Sequence, residues 1–191
     1  MSLKKKSVLR DWVESIIVAF LLAMVIRAFV IQAFKIPTGS MRMTLLEGDL
    51  ILVNKFIYGA KVPFTKLQLP AVRAPKRGDV VVFIYPEDKK KDFIKRLVGL
   101  PGETIEIKGG SIYIDGKPAQ EPIFNRIYYY NVGEFGVEGQ KIVVPKDSYF
   151  VLGDNSASSR DSRYWGFVPK DNLLGEALLI YWPPQRIRLI K

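Results

Sequence analysis

Apolar positions follow two different patterns along the chain. From Trp12 to about Phe34 nearly every position is apolar, and no polar stripe recurs at helical spacing. This stretch is long enough for one helix of about 20 residues across a lipid bilayer. After Lys35 the apolar residues fall into short runs separated by Gly, Pro and Asp, a pattern typical of β-strands. The sequence therefore predicts one helix followed by a body rich in strands.

The first segment is expected to be a membrane anchor. Lys4, Lys5, Lys6 and Arg10 precede the apolar stretch, and basic residues favour the cytoplasmic side. We expect a cytoplasmic N-terminus (residues 1–11), a single transmembrane helix (12–34) in contact with membrane lipid, and an extracytoplasmic domain (35–191). A cleaved signal peptide is the first alternative, but the apolar region is long and no A-x-A site follows it. A buried core helix is the second, but a helix that is apolar on every side favours lipid.

The remainder of the chain predicts a mainly β, antiparallel body. Gly109-Gly110 between two of the runs is typical of a two-residue hairpin turn, and no alternation of strands with helices indicates a parallel sheet. Residues 116–140 carry few strand signals and are expected to form an excursion or small lobe. The expected strands lie in the runs Asp49–Tyr58, Asp79–Tyr85, Asp92–Leu100, Thr104–Lys108, Ser111–Asp115, Lys141–Pro145, Tyr149–Asp154 and Ala177–Pro183.

Composition narrows the possible chemistry. The net charge of +10 suits an anionic lipid surface, whereas no dense basic tract interleaved with aromatics indicates nucleic-acid binding. The absence of cysteine removes disulfides and a thiol nucleophile. The absence of histidine removes the Ser-His-Asp triad and nearly all zinc hydrolase sites. We expect no metal and no cofactor.

Ser40 stands in a Pro/Thr/Gly turn directly after the apolar stretch, and as a nucleophile it would need a base. Lysine is the strongest candidate, but at a pKa of about 10.4 only roughly one in a thousand is neutral near pH 7.4. Burial can lower that pKa by several units. Lys95 lies in a strand-like run and shares one face with Phe93 and Leu97. Arg96 lies on the opposite face, so either basic residue could point inward, and an edge-strand lysine is the alternative.

Three segments resemble the conserved boxes of type I signal peptidases. "IPTGSMRMTL" resembles the nucleophile box, whose pattern is roughly P-S-x-S-M-x-P-T-L. "RGDVVVF" with "DFIKRLVGLPGE" resembles the box that carries the general-base lysine, and "GDNSASSRDSR" resembles the box G-D-N-x-x-x-S-x-D-S-R. They occur in the family's order, and the resemblance runs from about Phe34 to Pro183. Three boxes in order are far more specific than any one of them.

The resemblance implies a membrane-anchored serine endopeptidase that removes signal peptides from secreted preproteins at the outer face of the bacterial cell membrane. The substrates would carry small residues before the cut, and the enzyme is expected to be a monomer. The implied roles are a Ser40 nucleophile, a Lys95 base, an oxyanion hole of Thr38 and Ser40, a lysine-orienting Ser159, structural support from Asp161 and Arg163, and substrate pockets lined by Phe34, Ile36, Met41 and Leu45.

Some alternatives stay open at this point. Met43 departs from the family's proline, which puts the rigidity of the turn in doubt. Ser156, Ser158 or Ser162 could replace Ser159, Thr38 could only cap a turn, and Asp161 with Arg163 could form an ordinary surface pair. A self-cleaving Ser/Lys repressor would need a DNA-binding domain where the apolar helix stands. A membrane-tethered, non-catalytic β-module that binds anionic lipid or a protein partner would leave the three boxes unexplained.

Overall fold

The computed structural model describes residues 8–59, 65, 67 and 69–190; the basic cluster at Lys4–Lys6 lies outside them. One long helix, α1 (Val8–Phe29), precedes a body of short strands, and a single turn of helix, α2 (Ser162–Trp165), lies near the third box. The strands are β1 (Ile31–Lys35), β2 (Leu50–Asn54), β3 (Val80–Ile84), β4 (Asp92–Gly99), β5 (Thr104–Lys108), β6 (Ser111–Ile114), β7 (Lys117–Pro118), β8 (Ile142–Val143), β9 (Ser148–Leu152), β10 (Val168–Pro169), β11 (Leu173–Trp182) and β12 (Arg188–Leu189).

The helix α1 begins four residues before the predicted span of residues 12–34 and ends five residues before the end of that span. It ends at Phe29, and residues 31–35 pair as β1 with the antiparallel strand β2. Residues 31–34, which the sequence analysis placed in the transmembrane span, thus belong to a strand at the edge of the sheet. Apolar side chains along α1, such as those of Ile16 and Leu21, are exposed. Within the described part of the chain, no helix has the length and apolar character needed to cross a membrane, and the predicted crossing is not confirmed.

The body is antiparallel throughout its described strand pairs, which confirms the predicted mainly β, antiparallel body. The larger sheet has the order β1-β2-β11-β3-β4-β9-β10, with β12 also paired to β11. A second sheet has the order β7-β6-β5-β8. Its β5–β6 hairpin turns through Gly109 and Gly110, both at positive φ, and pairs Lys108 with Ser111. Glycine adopts this conformation without a steric penalty, so the predicted two-residue turn is confirmed.

Strand β4 is the strand that matters for the site. It lies between β3 and β9, and both of its faces are covered over its second half. Alternation along a strand places Lys95 and Arg96 on opposite faces, yet both side chains are buried. The sequence left open whether Lys95 or Arg96 points inward. In the structure both do, because each lies in the interior on its own side of the sheet.

Residues 116–140 pack against the second sheet. Ala119, Phe124, Ile127 and Tyr129 from this segment share one apolar cluster with side chains of the sheet, such as Ile105. Apart from β7 and one 3-10 turn (Phe124–Arg126), the segment has no regular structure. It covers the sheet as a long connection that buries these four side chains and leaves others, such as Val137, exposed.

Candidate active site

Ser40 lies in a 3-10 turn (Gly39–Met41) that follows β1. The loop that contains it is closed at its base, because Ile36 N donates to Asp49 O at 2.9 Å and Gly48 N donates to Ile36 O at 2.9 Å. Only 9% of Ser40 is exposed. The turn therefore presents the serine hydroxyl at the edge of the interior and holds it at a fixed place.

Lys95 reaches Ser40 from the facing strand β4. Its Nζ donates to Ser40 Oγ at 2.6 Å and to Ile94 O at 2.9 Å. Lys95 is 4% exposed, so the amine meets the hydroxyl away from bulk water. The two residues are 55 positions apart in the chain, and the sheet brings them together.

The environment of Lys95 favours its neutral form. Burial is the main cause, and it lowers the pKa of the Lys95 amine to about 8. The carboxylates of Asp161 and Asp154 act against this by raising the pKa, while Arg163 adds to the lowering. With a pKa of about 8, roughly a fifth of the amine is neutral near pH 7.4, against about one part in a thousand for an ordinary lysine. The amine can therefore accept a proton at physiological pH.

An open cavity of about 330 Å³ gives access to this pair. One wall is the segment from Pro37 to Ser40, a second is the start of β4 from Asp92 to Lys95, and a third carries Ser158 and Arg160. Thr38 lies exposed in the first wall with an extended backbone (φ −136°, ψ 156°), and its side chain makes no capping hydrogen bond to the turn. The cavity is lined by backbone in extended or turn conformation, which suits a peptide as ligand.

A neighbouring loop fastens the Ser40 turn from behind. Asn155 N donates to Ser40 O at 2.9 Å, and Asn155 Nδ2 donates to Gly39 O at 2.9 Å. The two bonds together fix the carbonyl groups of Gly39 and Ser40. Asn155 is a positioning group that the sequence did not single out, although it stands inside the quoted third box.

Arg96 and Asp154 form an ion pair beneath the turn. Each is 1% exposed; Arg96 Nε donates to Asp154 Oδ1 at 2.8 Å and Arg96 Nη2 donates to Asp154 Oδ2 at 2.6 Å. Thr44 Oγ1 donates to Asp154 Oδ2 at 2.5 Å and accepts from Arg96 Nη2 at 3.0 Å. A buried pair of this kind is tolerated because its lone pairs and protons are used. It links β4, the Ser40 loop and the third box.

Asp161 and Arg163 form a second buried pair rather than the surface pair left open by the sequence. Both are fully buried, and Arg163 donates to the two Asp161 carboxylate oxygens at 2.8 Å each. Arg163 Nη1 also donates to Tyr130 O and Ser156 Oγ at 2.8 Å, while Gly153 N donates to Asp161 Oδ2 at 3.0 Å. These bonds tie the two ends of the 153–163 loop together.

Ser159 is buried next to the Ser40 turn. Among the described residues its Oγ has no hydrogen-bond partner, so the bond to the Lys95 amine expected from the family is not formed here. A Cβ built on Gly153 would lie 2.1 Å from Ser159 Oγ and 2.6 Å from Ser40 O. Only glycine at position 153 allows Ser159 and the Ser40 carbonyl to lie this close to its backbone. Ser156, one of the alternatives to Ser159, is engaged by Arg163, and Ser162 Oγ accepts from Val151 N at 3.0 Å.

The four residues expected to line substrate pockets divide into two pairs. Phe34 and Ile36 line a small cavity of about 40 Å³ beside the main one, together with Ile94. Met41 and Leu45 are 0% exposed and pack in the core with Ile36. Because they have no surface to offer a ligand, we leave Met41 and Leu45 out of the proposed pockets. Met43, the departure from the family pattern, is exposed.

No group of three or more acidic residues in the described ranges is arranged to hold a metal ion.

Comparisons with known proteins show which family and which proteins the chain is similar to. The model of one family, described as "Signal peptidase, peptidase S26", matches residues 9–182. The chain is 33% identical to signal peptidase I of Pseudomonas fluorescens, over 97% of this chain and 77% of the relative. It is 38% identical to a probable signal peptidase I-2 of Synechocystis sp., over 94% and 77% of the two chains. It is 36% identical to signal peptidase I P of Bacillus subtilis subsp. natto, over 98% and 97%.

Among solved structures, the crystal structure of a signal peptidase I from Enterococcus faecalis is 34% identical in sequence. The match covers 56% of this chain and 98% of that chain, with a TM-score of 0.43.

Proposed function

The chain belongs to the signal peptidase family, peptidase S26, and from this premise we propose that Ser40 and Lys95 carry out its reaction. Membership makes the chain a serine endopeptidase that removes signal peptides. The observation that carries the proposal is the 2.6 Å contact between Lys95 Nζ and Ser40 Oγ, made by two buried groups at the floor of an open cavity.

Lys95 acts first as general base and then as general acid. The neutral amine accepts the hydroxyl proton while Ser40 Oγ attacks the scissile carbonyl, which gives a tetrahedral intermediate. The protonated amine then gives the proton to the departing amine of the mature protein. In the second half of the cycle the amine takes a proton from a water that attacks the carbonyl of the acyl-enzyme ester. It then gives this proton to Ser40 Oγ as the ester bond breaks, which releases the signal peptide with a new carboxyl group and restores the neutral amine.

The developing oxyanion is stabilised by the Ser40 backbone N–H and the Thr38 hydroxyl. Ser40 stands in the first turn of a 3-10 helix, where backbone N–H groups precede the intrahelical bonds and are available to a ligand. Thr38 is exposed in the cavity wall without a capping bond. One such donor is typically worth about 3 kcal/mol of transition-state stabilisation.

Ser159 orients the lysine amine during the reaction. Its buried hydroxyl has no partner among the described residues, and it lies beside Gly153 at the back of the Ser40 turn. Asp161 and Arg163 support this region by fixing the loop that carries Ser159.

The substrate is a preprotein bound in extended conformation with small side chains before the cut. The cavity lined by Phe34, Ile36 and Ile94 is small, at about 40 Å³ against about 330 Å³ for the main cavity. It therefore favours a small side chain over a large one. No cofactor enters this account, and a monomer suffices for it.

We place the reaction at the outer face of the bacterial cell membrane, with α1 in contact with lipid. Exposed apolar side chains along α1, including Val18 and Leu21, are costly in water and stabilising against acyl chains. A flotation assay with phosphatidylethanolamine/phosphatidylglycerol vesicles tests this directly. The full chain should float, a Val18→Lys/Leu21→Lys variant should float less, and equal flotation of the two would remove α1 from the account.

The catalytic proposal is tested by incubating the purified chain in detergent with a preprotein. Wild type should release the signal peptide at one site, and Ser40→Ala and Lys95→Met should each lose activity by several orders of magnitude. Lys108→Met is the matched control, because Lys108 is an exposed strand lysine remote from the cavity. Cleavage by Lys95→Met at the rate of the control would refute the pair, and absence of cleavage by wild type would favour the non-catalytic binding module.

A further inference from the structure

The C-terminal segment (residues 183–190) folds back onto the Ser40 loop (residues 36–49). The segment is held by the body itself, since β12 pairs with β11 and Ile190 N donates to Leu178 O at 2.8 Å. Two arginines of this segment, Arg186 and Arg188, extend towards the loop. Neither lines the cavity that contains Ser40.

Arg186 grips the base of the Ser40 loop. Its Nε donates to Asp49 Oδ1 at 2.8 Å and its Nη2 donates to Asp49 Oδ2 at 2.8 Å. Asp49 is almost wholly buried, accepts from Leu46 N at 2.8 Å, and closes the loop through its carbonyl, which accepts from Ile36 N. A bidentate arginine–carboxylate pair is a geometrically specific contact, so Arg186 fixes the point at which the loop is closed.

Arg188 grips the middle of the same loop. Its Nη2 donates to Thr44 O at 2.7 Å, and Arg186 Nη2 reaches the same oxygen at 3.5 Å. Thr44 N in turn donates to Met41 O at 2.8 Å, and Met41 is the residue that follows Ser40. Two hydrogen bonds and the backbones of Thr44 and Met41 connect the arginine to the proposed nucleophile.

We propose that Arg186 and Arg188 are positioning residues that keep the Ser40 hydroxyl against the Lys95 amine. Asn155 holds the turn from one side, and the two arginines hold the chain that leaves it on the other side. This inference rests on the proposed Ser40–Lys95 reaction. It adds a distinct claim, which is that the C-terminal segment contributes to turnover without touching the substrate.

Loss of the contacts of either Arg186 or Arg188 with the Ser40 loop should lower kcat and leave KM nearly unchanged. Misplacing a reacting atom by about 1 Å costs on the order of 100-fold in rate, and one grip of two should shift Ser40 by less, so we expect about a tenfold fall in kcat for Arg188→Met and for Arg186→Met. KM should stay within about twofold, since two of the three cavity walls come from β4 and from the Ser158–Arg160 stretch. Arg186→Lys, which can still form one bond to Asp49, should recover part of the loss.

The experiment measures kcat and KM of the full chain in detergent for these variants, with the folded fraction determined by circular dichroism at the assay temperature. Arg126→Met is the matched control, because Arg126 is exposed on a turn that packs with the second sheet. Cleavage by wild type that is lost in Ser40→Ala establishes the proposed reaction independently of the arginines. If wild type does not cleave, the proposed function itself fails, and the positioning role of the arginines fails with it. If that reaction holds, full kcat in both arginine variants, or a loss fully accounted for by unfolding, overturns the positioning role.

Discussion

Replacing Lys95 by methionine should abolish the reaction and change how stability depends on pH. Burial lowers the pKa of the Lys95 amine from 10.5 to about 8. Each pKa unit corresponds to about 1.4 kcal/mol, so the charged form is disfavoured by about 3 kcal/mol in the folded chain. Methionine has a similar length and no charge to desolvate.

The direction of this pH dependence follows from the number of protons that the folded and the unfolded chain bind. Between pH 8 and 10.5 the unfolded chain keeps a proton on this lysine that the folded chain has released, so the free energy of unfolding of wild type rises with pH. The full cost of burying the charged Lys95 amine is present below pH 8 and disappears above pH 10.5. Relative to Lys95→Met, wild type should therefore gain about 3 kcal/mol of stability between pH 7 and pH 10.5.

The absolute difference at neutral pH is smaller, because methionine lacks both hydrogen bonds of the lysine amine, to Ser40 Oγ and to Ile94 O. Each lost hydrogen bond of this kind costs about 1 kcal/mol. At pH 7 the variant should still be the more stable protein, by about 1 kcal/mol, although it is inactive. Proteins commonly lose stability at functional sites in this way.

The assay is urea unfolding followed by tryptophan fluorescence, at half-unit steps from pH 7 to 10.5, in a non-ionic detergent. Groups that titrate equally in both proteins cancel in the difference between them. The exposed-lysine variant Lys108→Met controls for the loss of one positive charge and should show no such pH-dependent difference. A difference between Lys95→Met and wild type that is the same at every pH would show that Lys95 is not desolvated, and the argument for a neutral base would fail.

Further predictions concern activity and the groups around the pair. The value of kcat/KM should rise with pH to a plateau with an apparent pKa near 8, and a profile still rising at pH 10 would contradict the lowered pKa of Lys95. Asp154→Ala should lower the free energy of unfolding by about 3–5 kcal/mol, because it leaves the Arg96 charge buried without its carboxylate; a urea midpoint close to that of wild type would contradict this. Gly153→Ala should lower kcat at least tenfold, because the added Cβ meets Ser159 Oγ at 2.1 Å; the measurement is kcat on folded protein, and an unchanged value would show that this approach is not needed.

Eight of the twelve strands in the described residues were predictable because their signals are local, whereas β1 and the two-residue strands β7, β10 and β12 were not predicted. Alternation and turn residues placed β5 and β6, with Gly109-Gly110 between them, at their observed positions. The end of α1 was not predictable in this way, since the apolar residues from Ile31 to Phe34 are compatible with a helix or a strand. The pairing with β2, which lies about 20 residues further along the chain, decides between the two.

The site was predictable only in part, for a similar reason. The two-residue period placed Lys95 and Arg96 on opposite faces, but no local pattern could show that both faces of β4 are covered. The partnership of Arg96 with Asp154 joins residues 58 positions apart, and the contact from Asn155 to the Ser40 turn joins residues 116 positions apart. A single sequence carries the residue types for these contacts and no direct signal of which residues meet.

The central claim is that the Lys95 amine is neutral to a useful extent at physiological pH while it contacts Ser40. The most direct measurement is an NMR titration of the chain with isotope-labelled lysine side chains, in which the Lys95 signal is identified by its absence from Lys95→Met. The account predicts a midpoint near pH 8 for this one resonance. A Lys95 signal that titrates above pH 10, as an exposed lysine does, would contradict it.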